Sequence, residues 1–355
     1  MSTSSSLPLH GLRVLDFSEL LPGPFFTQNL VELGAHVIKI ERPPHGDNAR
    51  KIAPGLFASV NRGKHSLMVD LKNPQQAEAL RQQVPDADVV VEGFRPGVMK
   101  RLGFSYEALA ALNSRIVYVS LSGYGQHGPL AQMPGHDINY LAAAGVLALS
   151  GSDAVHPDHG AGIPLADLCG AMYALSSTLA ALLQRQRTGQ GQYLDVSLTD
   201  CAAHWMNPRL GHFHEAGLSS VREQREDILA KPAYGVFETA DGVLISLGAL
   251  EDHFWARLVE VLGLEDLRGP DYASHAARTR RAAQINAAIA QRITTQESTV
   301  LLARLHGADV PVAPVVPPSA LASSQHCQQR GLFGNGYEGK EPAFVRYPVR
   351  VQGMP

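Results

Sequence analysis

Short runs of consecutive Val, Ile and Leu alternate with segments of helical spacing through the first third of the chain. "LRVLDFS" (12–18) is one such run, and "PGPFFTQNLVELG" follows it, with Pro24 suited to a first helical turn and Gly34 to a C-terminal stop. "AHVIKIE" (35–41) is a second run with strand character. Strand, helix of about three turns and strand make a βαβ unit. The alternation goes on through "HSLMVDL", "PQQAEALRQQV", "ADVVVEGF", "SYEALAALN" and "RIVYVSLS". Strands without a polar face belong to a sheet covered on both sides, hence parallel and flanked by helices. The first ~125 residues therefore read as a doubly wound α/β domain.

Beyond them, "HDINYLAAAGVLALSG" and "LADLCGAMYALSSTLAALLQRQRTG" carry helical spacing with many small residues. The second ends on Arg and Gln before Gly189, as helix C-termini do. "GQYLDVSL" (191–198) is a further strand. Around residues 201–228 the periodicity fades, which predicts a linker. A smaller α+β domain over 229–324 starts with two strands around Asp241 and Gly242, a hairpin signal. Helices to about Gly307 and the run "DVPVAPVV" continue it, and the tail "FVRYPVRVQGM" returns to short strands.

Composition narrows the class. With 355 residues, 45% hydrophobic and 18% charged, the chain holds about two ordinary domains and is no disordered protein. A formal charge of −3 without a long basic run argues against nucleic acid or an anionic membrane as partner. The polar start "MSTSSSLPLHG" lacks the apolar core of a signal peptide, and no uncharged stretch reaches the length of a membrane span. Cys169, Cys201 and Cys327 suggest neither a disulfide framework nor a zinc motif. A cytoplasmic protein is expected.

Several stretches invite chemistry. "GYGQHG" (123–128) matches a dinucleotide fingerprint, but Pro129 and a loop follow where a helix must open. His212 and His214, and His156 and His159, lack the spacing of a metal site, and no GxSxG elbow is present. Arg42, Arg62 with Lys64, and Arg95 each adjoin a strand, and strand C-termini of a parallel sheet are where ligands bind. Such a gathering suits a polyanion, although scattered surface charge explains it as well. In "GHDINYLAAAG" (135–145), His136 and Asp137 open an apolar helix, and Asp167 opens the long one. For both aspartates helix capping is the plainer role. Glu251 is either a dipole partner of its helix or functional.

The stretches "GLRVLDFSELLPGPFFTQNLVELGAHVIKIERP", "NRGKHSLMVDLK", "DVVVEGFRPGVMKRLGF", "YVSLSGYGQHGP", "RQRTGQGQYLDVSL" and "ADVPVAPV" together resemble the class III (family III) CoA-transferase superfamily over essentially the whole chain. The resemblance implies a Rossmann-like large domain, residues 1–200 completed by 325–355, a small α+β domain, and an interlocked homodimer. It implies acyl-CoA as substrate, with CoA part of that substrate and no separate cofactor. Arg42 and Arg95 would hold its phosphates, and Asp137, Tyr140, Val69, Leu71 and Lys72 join the binding set. Two chemistries occur in the superfamily. Transferases use an aspartate nucleophile, and Asp167 stands at that position. α-Methylacyl-CoA racemases use a histidine and an aspartate as two bases, and their motif is similar to "GHDINYL". Glu251 falls where racemases carry a glutamate near the histidine. "DLCGAM" and "KPAYGVFETADG" depart from the racemase pattern, so racemase leads and transfer stays open.

The residues suit epimerisation. Removing the proton next to a thioester gives an enolate, and inversion needs a base on one face and an acid on the other. Asp167, among Leu165, Ala166 and Leu168, is expected to be raised by desolvation, Glu251 to orient His136, and N–H groups near Asp137 to meet the enolate oxygen.

Overall fold

The apolar runs become six parallel strands in the computed structural model, which describes residues 7–158, 162–334 and 344–349. They are β1 (Arg13–Asp16), β2 (His36–Glu41), β3 (His65–Met68), β4 (Val89–Glu92), β5 (Val117–Ser122) and β6 (Gln192–Ser197). Their order is β3-β2-β1-β4-β5-β6, so the winding reverses between β1 and β4. His159 and the end of the tail, 350–355, lie outside the described residues.

Alternation along each strand feeds two cores. Val14, Val89, Val91, Val117 and Val119 face Phe26, Leu30, Ala174 and Leu175 on one side. Leu15, Val90 and Tyr118 face Leu80, Phe104 and Leu109 on the other. The crossovers are α1 (Pro22–Glu32), α2 (Ala49–Ile52), α3 (Pro54–Asn61), α4 (Pro74–Arg81), α5 (Val98–Leu102) and α6 (Tyr106–Leu112). Then come α7 (Asp137–Ala143) and α8 (Leu165–Thr188), which Gly189 stops at φ +74°. By length and hydropathy α8 is long and apolar enough to cross a membrane, a match that an uncharged-run criterion passes over because Asp167 interrupts it. Half of that stretch is buried, and the helix packs on α1 and β5 as a core element.

The expected linker is helical. Helices α9 (Leu198–Trp205), α10 (Asn207–Glu215) and α11 (Val221–Leu229) occupy it. Their apolar stripes are thin, with Phe213 the sole buried residue of α10, and side-chain caps mark the starts of α9 and α11. Ser197 caps α9, and Ser220 with Glu223 forms a capping box on α11.

The chain divides into two compact units. Unit 1 comprises 1–150, 158–212 and 329–355, and unit 2 comprises 151–157 and 213–328. Unit 2 holds an antiparallel sheet of β7 (Tyr234–Glu238), β8 (Leu244–Gly248) and β9 (Val312–Pro314), in sequence order. Asp241 and Gly242 lie in the β7–β8 connection, with Gly242 at φ +76°. The sheet shares its core with α12 (Asp252–Leu262), α14 (Ala282–Ile293) and α15 (Ser298–Gly307), around Trp255, Leu258, Ile285, Ile289 and Leu301, and α13 (His275–Thr279) packs on α14. Arg278, fully buried, closes this core by bonding the Leu250 carbonyl and the Asp252 carboxylate, both at 2.7 Å.

Beneath the C-terminal edge of the parallel sheet sit four buried charges. Lys64 Nζ reaches Asp16 at 3.1 Å and Thr27 Oγ1 at 2.7 Å, and Lys39 Nζ meets Asp47 at 2.9 Å. Burial pushes the Asp16 carboxyl up, but the Lys64 and Lys39 charges and the Ser18 and Thr27 hydroxyls hold it at about 2. Burial draws the Lys64 ammonium down to about 8, against the pull of Asp16. Arg62, grouped with Lys64 on the ligand edge by sequence, pairs with Glu32 and lies 3.6 Å over the Phe344 ring. Neither cation is free for a ligand, because each has a carboxylate partner from a distant helix or strand.

Lys64→Met strips Asp16 of its counter-ion and is expected to cost about 3–5 kcal/mol in urea unfolding. A native carboxyl at about 2 gives stability that is present above ordinary carboxylate pKa values and disappears as pH falls toward 2. The variant should accordingly unfold at higher pH than the parent in an acid titration followed by circular dichroism. A stability loss under about 1 kcal/mol would show that the pair behaves as a surface ion pair does.

Candidate active site

A cavity of about 740 Å³ opens outside the C-terminal ends of β1, β4 and β5. It occupies the reversal of strand order, where open parallel sheets bind their ligands. The Ser18–Gly23 turn, the Gly93–Pro96 segment, the end of β5 through Tyr124, and the start of α7 all border it. Asp167, in the first turn of α8, completes the wall, and every one of these residues belongs to unit 1.

His136 is the N-cap residue of α7 and is exposed on the cavity rim. Its N–H donates to Asn139 Oδ1 at 3.0 Å, and the Asn139 N–H returns to the His136 carbonyl at 2.8 Å. The N–H groups of Asp137 and Ile138 make no hydrogen bond within the described residues. They are the free donors of the helix start.

Asp137 is a cap, but of a different helix. Its Oδ1 accepts from the Ala166 N–H at 2.7 Å and the Asp167 N–H at 3.1 Å, at the start of α8. Proline at position 164 offers that helix no capping side chain, so the carboxylate arrives from thirty residues upstream. Asp167 itself is no cap, since it sits three residues inside α8. Its carboxyl makes no hydrogen bond within the described residues. Burial, reinforced by the Asp137 charge, pushes it up to about 7. Asp137 thus ties the two helices together while keeping Asp167 able to hold a proton at neutral pH.

Two glycines make room for Tyr140. A Cβ on Gly123 would stand 2.2 Å from the ring, and one on Gly135 2.6 Å. The ring packs edge-on against Tyr124 with centroids 5.2 Å apart, and its hydroxyl donates to the Gly135 carbonyl at 2.6 Å. The glycines of "GYGQHG" therefore serve aromatic packing and a loop, which Gln126 pins to Asp195 at 3.1 Å. Burial and the Asp167 charge raise the Tyr140 hydroxyl to about 12, so it stays neutral.

Of the residues expected from sequence, Arg95, His136, Tyr140 and Asp167 border the cavity. Arg42 and Lys72 are exposed outside that lining, Leu71 is half-buried, and Val69 packs into the core of the sheet's far face. Glu251 belongs to unit 2, where it precedes α12 and its carbonyl accepts from the Trp255 N–H at 2.9 Å. Sequence reading missed the Ser18–Gly23 turn and the bond from Asp137 to α8. "LPGP" signals a turn, whereas nothing local announces the cap.

The sequence model of the family described as CoA-transferase family III matches residues 9–355. Acetyl-CoA:oxalate CoA-transferase of Acetobacter aceti is 34% identical over 333 residues, 92% of this chain and 85% of its own. Human alpha-methylacyl-CoA racemase is 32% identical over 334 residues, 92% of this chain and 82% of its own. A solved CAIB/BAIF family protein from Brucella suis superposes with a TM-score of 0.85 at 28% identity, covering 98% of this chain and 93% of that one.

Asp137→Asn keeps an acceptor for α8 but removes the charge beside Asp167. The Asp167 carboxyl is expected to titrate clearly below about 7 in ¹³C NMR of the labelled side chain. Asp137→Ala should show the same fall plus about 1 kcal/mol of lost stability, the usual effect of removing a cap. An unchanged titration in both variants would separate Asp137 from the Asp167 proton.

Proposed function

This chain belongs to CoA-transferase family III, and from that premise we propose that it racemises the α-carbon of a 2-methylacyl-CoA. It is an enzyme of a superfamily that includes both CoA-transferases and racemases. What supports the racemase reaction is the pairing of His136 with a desolvated Asp167 on one cavity.

In this reading the thioester carbonyl lies against the free N–H groups of Asp137 and Ile138, and the α-carbon lies between His136 and Asp167. One group takes the α-proton, and the C–H electron pair moves into an enolate whose oxygen those N–H groups stabilise. The other group then delivers its own proton to the opposite face. The C–S bond is never broken. Each turnover leaves the two groups with exchanged protonation states, which solvent resets. A carboxyl near 7 suits both halves, because it is acid and base in comparable amounts at neutral pH. Arg95 at the cavity rim, with Arg42, would meet the CoA phosphates. Two interlocked copies would form the working enzyme, visible as a dimer by sedimentation.

The second reading is CoA transfer, which the likeness to acetyl-CoA:oxalate CoA-transferase favours. There Asp167 attacks the thioester carbonyl and CoA leaves as thiolate from a mixed anhydride. The thiolate then attacks the aspartyl carbonyl, releasing the first acid and leaving an aspartyl thioester. The acceptor carboxylate attacks that thioester and expels the thiolate again, and thiolate attack on the acceptor carbonyl of the new anhydride forms the second acyl-CoA and frees Asp167.

Solvent exchange distinguishes them. In D₂O, His136→Ala should stop deuterium entering from one 2-methylacyl-CoA epimer while Asp167 still exchanges the other. Asp167→Ala should give the mirror pattern, and both should lose racemisation by roughly 10²-fold or more. Hydroxylamine during turnover with an acceptor acid cleaves an aspartyl thioester and leaves a proton-transfer site intact. A CoA adduct on Asp167 in the mass spectrum would establish transfer and end the racemase reading.

The pH response ties the two groups to one proton. Each direction needs one group protonated and the other not, so kcat/KM for the two epimers should rise and fall together, in a bell with one limb at about 7 from Asp167. Profiles of both epimers without a limb at about 7 would remove Asp167 from the proton path.

A further inference from the structure

Lys39 and Asp47 do not border the cavity, yet both reach the turn that does. Lys39 Nζ donates to the Ser18 carbonyl at 2.8 Å, and Asp47 accepts from the Leu20 N–H at 3.1 Å. The two charges, 2.9 Å apart and closed to solvent, therefore grip the backbone on either side of Glu19. Asp47 Oδ1 also accepts from the Ala49 N–H at 2.8 Å, and the Glu19 carboxylate accepts from Asn48 Nδ2 at 2.8 Å. At the second grip Leu20 sits at φ +66°, a left-handed conformation that residues with a Cβ avoid. Ser18 through Gly23 all border the cavity.

A buried ion pair is a poor source of stability, since desolvation offsets most of its attraction. Strain at a single backbone residue also persists only where its surroundings over-determine it. Both features meet at one turn on the wall of one cavity. We infer that Asp47 and Lys39 are positioning residues for the acyl-CoA ligand, holding the Ser18–Leu21 turn in a shape it does not take alone. The inference rests on the cavity being the acyl-CoA site. It assigns the pair a role in ligand affinity, exercised through Leu20 and separate from proton transfer.

The test compares affinity with stability. Binding of CoA and of a non-hydrolysable acyl-CoA thioether would be measured by calorimetry, and melting by circular dichroism. Asp47→Asn is expected to weaken binding about ten-fold or more. Leu20→Val leaves the ion pair intact but resists positive φ, and should weaken binding similarly. Leu20→Gly loses more side chain yet takes φ +66° freely, so it should bind better than Leu20→Val. Adding Leu20→Gly to Asp47→Asn should recover part of the lost affinity. If Asp47→Asn and Leu20→Val only lower the melting temperature and bind like the parent, the pair is structural and the inference is overturned. Should Asp47→Asn fail to fold, the order of Leu20→Val and Leu20→Gly decides alone. A parent protein that binds neither probe overturns the acyl-CoA site itself, and the inference with it.

Discussion

Charge held away from water governs the ligand face of this protein. Asp16 closes β1, Lys39 rises from the middle of β2, and Lys64 precedes β3, so three neighbouring strands are joined through one ionic knot. None of these groups tolerates the interior unpaired, and their bonds leave few alternative geometries. Lys64 also binds the Pro24 carbonyl at 2.9 Å and Asn61 Oδ1 at 2.9 Å, which fixes the entry of α1 and the end of α3. The turn from β1 into α1 is thus placed from below by salt bridges. In dinucleotide-binding sheets the same turn is placed by glycines and presents N–H groups to phosphate. Here Pro22 and Pro24 deny it those donors, and the cavity needs its cations from elsewhere on the rim.

On the opposite wall the governing contact is between helices. Asp137 gives its carboxylate to the start of α8, and that single interaction both seats Asp167 and makes ionising it harder. One side chain thus shapes the structure and adds to a proton affinity that burial chiefly raises. His136, one residue earlier, remains on the exposed rim with its backbone fixed by Asn139. The site therefore combines a constrained, poorly hydrated carboxyl with an accessible imidazole.

Local pattern carried the fold in most places. The parallel strands, the 24-residue α8 with its Gly189 stop, and the strand pair around Asp241 each declare themselves within a few residues. Residues 201–228 did not, because α9 to α11 bury little and two of them start on side-chain caps; "SSVRE" contains the capping box, which hydrophobic spacing ignores. The fate of Arg62 and Lys64 was equally hidden, since their partners lie 30 and 48 residues away. Lys39 was the visible anomaly, a lysine inside the apolar run "HVIKIE" that has to find an anion. The desolvation of Asp167 was legible from its neighbours, but the charge that adds to it, Asp137, is joined to it only by tertiary folding.

Glu32, at the end of α1, receives chain from the far end of the sequence. Its carboxylate accepts from the Tyr347 N–H at 2.6 Å and pairs with Arg62, whose guanidinium covers Phe344. Unit 1 is therefore interrupted in sequence by nearly all of unit 2. On a ribosome, the first helix is made early and waits for its closing partner until residues 213–328 have been synthesised. Unit 2 is available to fold in one uninterrupted stretch, while the larger unit reaches its final form only after residues 344–349 have followed it. A lesion at Tyr347 would then be felt first at the end of α1, and a chain stopped before it would leave Glu32 without that backbone donor.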